Sequence, residues 1–513
     1  MATYLAGIDI GTTGAKAMVF DTTGNAMVSA YIEYPCTYPK PGWVEQDPDL
    51  LVASALDAMK QAVAKSGINA ADIVSVSLSA QRCCGIFLDA EENLLRPMIS
   101  WQDNRTPQEV EEIARKIDPA TYYKITGYPN STTWLLSKMM WVRNNEPNIW
   151  KNTARVVQMH DYFLRALGVE EYYVDHNDAG YFGVFDNTRG AWDQGLLEMF
   201  DIPESLLPVP EKSGTLVGRV STEASNLCGL AEGTPIAVGA GDQSAGAVGA
   251  GVVHKGLISI SMGTAGAVTA YMDTPFRDPD CTNMATSHPI FGCWLMEGYQ
   301  AAAASVYRWF RDEIGELEKQ EAESHGREYF EMMDEKVAEV PAGANGLLLM
   351  PYFASAGTPR YNSSARGVLM GLTFAHNKLD MARAFMEGIT LDMRDMLNSM
   401  KKSGVEIAEA RILGGPTKSD VWNQIQSDVY GIPVDTLKIG DAPVLGAAIL
   451  GGVGAGIFSS IEEGAGAMVA LEKRYEPNME NHKVYNKLYE AYCNAYEGLD
   501  EKKVFETLAG LQA

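Results

Sequence analysis

The chain is short of positive charge. Its 41 lysines and arginines face 66 aspartates and glutamates, a formal net charge of −25 over 513 residues. Such a surface repels phosphodiester backbones and anionic lipid, which argues against nucleic acid and membrane surfaces as partners. A phosphorylated small molecule would have to bind against that field, through glycine-freed amides, a lysine or Mg2+. Cysteine is scarce and unpatterned: seven residues, no C-x-x-C pair, and an adjacent Cys83 and Cys84 that suit no ordinary bridge. That reads as reduced thiols and a cytoplasmic setting. The seven histidines are dispersed, and no His/Cys/Asp group has zinc spacing.

Several motifs are missing. Without G-x-x-x-x-G-K-S/T there is no Walker-type loop. Without Gly-x-Ser-x-Gly a serine hydrolase loses ground. Gly452-Val453-Gly454-Ala455-Gly456 is too weak for a dinucleotide fingerprint. The start, Met-Ala-Thr-Tyr-Leu-Ala-Gly-Ile-Asp, lacks the basic region of a signal peptide. One long uncharged run exists, Ala442 to Ile461. It carries glycines at 446, 451, 452, 454 and 456 and has acidic flanks. We read it as a tightly packed Gly/Ala helix plus loop, not a membrane span.

What is present begins at once. Gly7-Ile8-Asp9-Ile10-Gly11-Thr12-Thr13-Gly14-Ala15-Lys16 reads as strand, tight turn, strand. Amides freed by glycine, with two hydroxyls beside them, form a concavity suited to phosphate oxygens, and a neighbouring aspartate suits Mg2+. A plain hairpin with a solvated Asp9 explains the stretch equally well. Ile260-Ser261-Met262-Gly263-Thr264-Ala265-Gly266-Ala267 repeats it, with five of eight positions identical to residues 8–15 and 252 residues between the copies. The echo suggests a duplicated fold with two phosphate loops; eight residues rich in Gly, Thr and Ala can also match by chance.

The length requires at least two domains. Strands are expected at Leu5–Ile10, Ala15–Asp21, Asn25–Glu33, Ile73–Ser79 and Gly85–Asp89, with an amphipathic helix over Asp49–Ser66. Further helices are expected at Pro107–Ile117, Leu135–Asn144, Leu379–Lys402 and Asp420–Tyr430, and strands at Ile236–Gly241 and Arg411–Gly415. Arg308–Val340 reads as a charged helical stretch, and the chain beyond about 462 as polar and helical. A fresh meander near 254–256 places the boundary between domains 1–253 and 254–513. The alternation of strands and helices fits an α/β layer fold.

Asp242 is the sharpest single residue. It stands where the strand ending at Gly241 meets a run of small residues, Gln243 to Gly251. It could take a hydroxyl proton as general base, or it could be a helix N-cap. Gly414-Gly415-Pro416-Thr417-Lys418-Ser419 could seat a flat ligand such as adenine, or be a plain strand–helix turn. Gln81 with Arg82, and Trp101 with Asp103, are residue types that hold polyols. They serve equally as surface salt bridges or core aromatics.

Taken together the pieces resemble the FGGY family of carbohydrate kinases, within the actin-like, ribonuclease H-like superfamily. The matches are Asp9-x-Gly11-Thr12-Thr13 with Lys16, Gly241-Asp242-Gln243, Met262-Gly263-Thr264, Gly414-Gly415 and Leu445-Gly446-Ala447-Ala448. Thr358-Pro359, Ala365–Thr373, Arg383–Ile389 and Arg394-Asp395 continue it over nearly the whole chain. The resemblance implies two ribonuclease H-like (actin-like ATPase) domains with a cleft between them, closing to keep water from the reaction. It implies an ATP-dependent kinase for a ketose or polyol, with Mg2+, in an assembly that could be a homodimer. Asp242 would be the base, and Gln81, Arg82, Trp101, Asp103 and Gln243 would join it at the substrate. Thr12, Thr13, Lys16, Gly263 and Thr264 would contact phosphates. Gly414, Gly415 and Ser419 would line the nucleotide, and Asp9 would position the metal. The xylulokinase branch is the most similar, making xylulose the first expectation. Other ketopentoses, erythritol-type polyols and glycerol are the alternatives. Gln81-Arg82-Cys83-Cys84 replaces that branch's Met-His-Gly element. Arg82 and Trp101 are similar to glycerol kinases, where Cys83 stands for a Glu and Thr133 for a Tyr. An actin-like ATPase or chaperone module, and a silent sugar sensor, are the rival classes.

Overall fold

The computed structural model describes residues 3–275 and 278–511. Three strands open it, β1 (Tyr4–Ile10), β2 (Gly14–Asp21) and β3 (Ala26–Glu33). Helix α1 (Pro48–Ser66) leads to β4 (Ile73–Ala80). Asp47 caps α1 by accepting the Asp49 and Leu50 amides, Pro48 starts it, and Gly67 ends it at φ 68°. Then come α2 (Leu135–Asn145), β5 (Leu216–Arg219), β6 (Pro235–Ala237), β7 (Ala240–Gly241) and α3 (Asp242–Gly249). The later part contributes β8 (Gly256–Met262), β9 (Gly266–Met272), β10 (Trp294–Gln300), α4 (Lys378–Lys402) and β11 (Ile407–Gly414). It ends with α5 (Asp420–Tyr430), β12 (Val434–Leu437), α6 (Ala442–Gly454), β13 (Leu471–Tyr475) and a helix at Met479–Glu501.

Two compact units result. The first is Met1–His254, Tyr271–Leu295 and Asp441–Ala470; the second is Lys255–Ala270, Met296–Gly440 and Leu471–Ala513. Both are mixed α/β layers. One sheet runs β5-β6-β4-β1-β2-β3, and the other contains β13-β12-β11-β8-β9-β10 in the matching order. In each, the central strand pairs antiparallel with its hairpin partner and parallel with a strand that follows a helix. The parallel pairs even slip at the same place, between Tyr4 and Leu5 and between Gly256 and Leu257. Ile10 ends opposite Ala80, and Met262 ends opposite Gly414. The eight-residue echo is thus the visible corner of a repeated sheet.

Local differences from the sequence reading have physical causes. The strand expected at Ile236–Gly241 is two pieces. Between them the Val238 amide turns to Thr215 O (2.9 Å) and the Gly239 amide to His160 Nε2 (3.1 Å). The stretch 308–340 is broken into three helices, Ala304–Glu313, Glu316–Ser324 and Tyr329–Val337, with turns between them. The tail contains strand β13 before its long helix.

The uncharged Gly/Ala run forms α6, buried on nearly every side within the first unit. No helix among the described residues is long and apolar enough to cross a membrane. Its packing is backbone on backbone. A Cβ on Gly446 would lie 1.9 Å from Ala245 O, and one on Gly249 of α3 would lie 1.9 Å from Ala442 O. A Cβ on Gly7 of β1 would meet Val444 O at 2.2 Å. Contacts of this kind, at Gly7, Gly249 and Gly446, admit no side chain. We therefore expect Gly446→Ala to destabilise the protein by about 3 kcal/mol in urea melts, the upper range of overpacking. Gly466→Ala, on an exposed helical site with nothing within 4 Å, should be neutral or stabilising by up to about 1 kcal/mol.

Candidate active site

The first unit gathers charged groups at one edge of its sheet. Asp9 pairs in register with Lys16 on β2 and with Ser79 on β4. The Ser79 hydroxyl donates to Asp9 Oδ1 at 2.7 Å. Lys16 Nζ donates to Asp441 Oδ1 at 2.6 Å, just before α6. The Asp9 carboxyl is raised to about 7, chiefly by burial, with Asp242 and Asp441 acting the same way and the Ser79 bond and Lys16 opposing. A carboxyl that ionises reluctantly, with two more nearby, is a place where an added cation relieves repulsion.

The turn after β1 is held from several sides. Gly11 N–H closes it onto Gly14 O at 3.0 Å, and the Tyr34 hydroxyl donates to Gly11 O at 2.6 Å. Gln46 Nε2 donates to Thr12 O, and Trp101 Nε1 donates to Thr12 Oγ1, both at 2.9 Å. Thr13 is exposed.

Asp242 is the first residue of α3, with Gly241 at the cap position, so the N-cap alternative does not hold. Its Oδ1 accepts the Gln243 amide at 2.7 Å and pairs with Arg82 Nε at 2.9 Å. Arg82 also donates to the Tyr181 hydroxyl, and its guanidinium lies 4.6 Å from that ring's centre. Tyr181 in turn packs on Tyr128 and Trp134, with ring centres 4.8 and 5.5 Å away. Gly241 makes the approach feasible. A Cβ there would lie 2.4 Å from Arg82 Cδ and 2.5 Å from Asp178 Oδ1.

Beneath Arg82 lie His160, Asp175 and Asp178, all fully buried, with candidate ligand atoms within 4.8 Å of one another. The His160 Nε2 lone pair accepts the Gly239 amide, so it is not available to a metal. Burial pushes Asp175 and Asp178 up, while Arg82 pulls both down. Burial drives His160 down to about 3. The folded ring therefore stays neutral while an unfolded one takes a proton below about pH 6.5, so stability falls from that pH downward. By pH 5 the loss is about 2 kcal/mol. His160→Gln, which keeps an acceptor for Gly239, is expected to flatten the stability–pH curve between pH 6.5 and 5. An unchanged slope in urea melts would remove His160 from this role.

The remaining expected residues divide. Trp101 is 39% exposed and touches the turn after β1 at Thr12. Gln81 is buried and gives its amide hydrogen to Gln46 Oε1 at 2.9 Å. Gln243 is half-buried on α3. In the second unit Gly263 and Thr264 are exposed, with Gly263 N–H closing onto Ala265 O at 2.9 Å. Gly414 takes φ 94°, and a Cβ there would also lie 2.2 Å from Met262 O, while Gly415 has open space.

Two expected site residues have internal partners. Asp103 is fully buried. Its oxygens take the Val44 amide (2.6 Å), the Arg105 amide (2.9 Å) and the Arg105 fork (2.8 and 2.7 Å). Ser419 caps α5 by accepting the Trp422 amide at 3.0 Å, and its hydroxyl also bonds Asp334. Sequence reasoning missed Tyr181 and Asp441. The signal for Asp441 was present, since Gly440-Asp441 precedes α6 much as Gly241-Asp242 precedes the body of α3.

Residues 4–249 match the FGGY family of carbohydrate kinases, N-terminal domain, and residues 258–455 match the C-terminal domain of that family. A xylulose kinase of Bacillus subtilis (strain 168) is 30% identical over 494 residues, 96% of each chain. A glycerol kinase of Nitratidesulfovibrio vulgaris (strain DP4) is 29% identical over 500 residues, 96% of this chain and 97% of the other. The crystal structure of a xylulose kinase from Rhodospirillum rubrum superposes with a TM-score of 0.87 at 27% identity, covering 98% of this chain and all of that one, 100%.

Proposed function

The chain belongs to the FGGY family of carbohydrate kinases, and from that premise we propose that it moves the γ-phosphate of ATP to a hydroxyl of D-xylulose. The family alone makes it a phosphotransferase with an alcohol acceptor on a small sugar or polyol. The observation that carries the finer reading is the Asp242–Arg82 pair at the start of α3, beside Asp9 and Lys16. Similarity to xylulose kinases puts xylulose first. Arg82 and Trp101, together with the glycerol kinase relative, favour glycerol or a related polyol as the second reading.

In this mechanism Arg82 and Gln243 hold acceptor hydroxyls, and Trp101 offers its exposed face. Asp242 takes the proton from the attacking hydroxyl. That oxygen forms its bond to the γ-phosphorus as the bond to the ADP oxygen breaks. Thr12, Thr13 and Lys16, with Gly263 and Thr264, contact the terminal phosphates, and Asp441 keeps Lys16 aimed. Gly414 and Gly415 line the nucleotide. Asp9 would hold Mg2+, which when bound offsets phosphate charge. We assign the acceptor contacts and base to domain 1–253, and the Gly414–Gly415 nucleotide contacts to domain 254–513. Seven unpaired cysteines support a cytoplasmic setting.

A coupled ADP-release screen over ketopentoses, tetritols and glycerol tests the substrate, and xylulose should give the highest kcat/KM. Asp242→Asn should lower kcat by about 10²-fold or more while sugar binding, followed by calorimetry, persists. Full turnover in that variant would end the base assignment. Arg82→Ala should raise the sugar KM well above any change in the ATP KM, and an unmoved sugar KM would take Arg82 out of the site.

A further inference from the structure

Lys138, on α2, is fully buried. Its ammonium donates to two backbone carbonyls, Cys83 O at 2.7 Å and Ser100 O at 2.8 Å. Burial lowers its pKa, with Asp103 among the groups that oppose the shift. Asp103 is itself bonded to the Arg105 fork. Taking an ammonium out of water costs several kcal/mol, and an apolar side chain of the same length would fill the space without that cost. What the ammonium adds is a tie between two particular backbone positions.

Those positions are telling. Cys83 follows Arg82, and Ser100 precedes Trp101. The two stretches are cross-linked again where Gly85 and Ile99 exchange amide hydrogen bonds of 2.9 and 3.0 Å. Cys83 sits at φ 62°, a conformation few non-glycine residues hold without support. Its amide is taken by buried Gln158 Oε1 at 2.7 Å, and its carbonyl by Lys138. Both backbone groups of the residue behind Arg82 are thus fixed by buried side chains.

We propose that Lys138 is a positioning residue for acceptor recognition: by tying Cys83 O to Ser100 O it sets the spacing between Arg82 and Trp101, and with it the choice of sugar. The proposal rests on the reading that Arg82 and Trp101 face the acceptor. Lys138 touches neither substrate nor reacting atoms.

The test uses the full-length protein, with xylulose and glycerol as acceptor probes, and compares Lys138→Met with Arg82→Ala. Lys138→Met is expected to raise the sugar KM at least 10-fold and leave the ATP KM within 2-fold. It should also shift the xylulose-to-glycerol ratio of kcat/KM at least 3-fold. A purely structural role would lower the melting temperature and scale kcat for both acceptors equally, and that outcome overturns the proposal. So does an unmoved sugar KM in Lys138→Met alongside a raised one in Arg82→Ala. If Arg82→Ala leaves the sugar KM unmoved, the acceptor reading fails first and takes the proposal with it. Should Lys138→Met not fold, Lys138→Gln, which keeps a donor in the same space, is judged by the same readouts. Failure of both to fold would make Lys138 a requirement of the fold and overturn its assignment to recognition.

Discussion

Two helices meet in the first unit with no side chain between them. Gly446 of α6 and Gly249 of α3 each face a carbonyl of the other helix at a distance no Cβ could share. Two carboxylates of the site are referred to that contact. Asp242 is the first residue of α3, and Asp441 immediately precedes α6. A helix displaced by one methyl would carry its aspartate with it, and misplacement of about 1 Å is enough to cost phosphoryl transfer most of its rate. Gly7, where β1 meets Val444 O, extends the same rule to the strand that ends at Asp9. Small residues here set distances between charges.

The second constraint is electrostatic. A chain with a net charge of −25 places two cations, Lys16 and Arg82, among Asp9, Asp242 and Asp441. Each cation already has a carboxylate partner at 2.6 to 2.9 Å. Held this way, long side chains lose little further freedom when a ligand arrives, and preorganised charge is what phosphoryl transfer uses most. Burial, with the neighbouring aspartates acting the same way, raises Asp9 to about 7, so the site is poised for added positive charge.

Local features of this architecture were legible in the sequence. The Gly–Thr turn, its echo at 260–267 and the small residues after Asp242 are contiguous patterns, and each maps onto a strand end or helix start. The duplicated sheet order follows from them. Features that depend on distant partners were not legible. The Arg105 fork and Val44 amide that Asp103 accepts are invisible until the loop folds. The capping role of Ser419 depends on where α5 begins. Tyr181 sits 99 residues from Arg82, and nothing near either predicts their stacking. Lys138 reads as an ordinary helical lysine, and only its complete burial singles it out.

On the proposed reading the acceptor meets loops, at 81–84, 100–103 and around Tyr181, whereas Asp242 and Asp441 sit at the starts of glycine-packed helices. Changes in the loops need not disturb the helices. A lineage built on this plan can therefore trade one sugar for another by point substitution while its phosphate chemistry is inherited intact. The Trp101–Thr12 hydrogen bond is where that modularity ends, since it joins the loop at 100–103 to the turn after β1. Loss of the indole N–H at 101 would act on both.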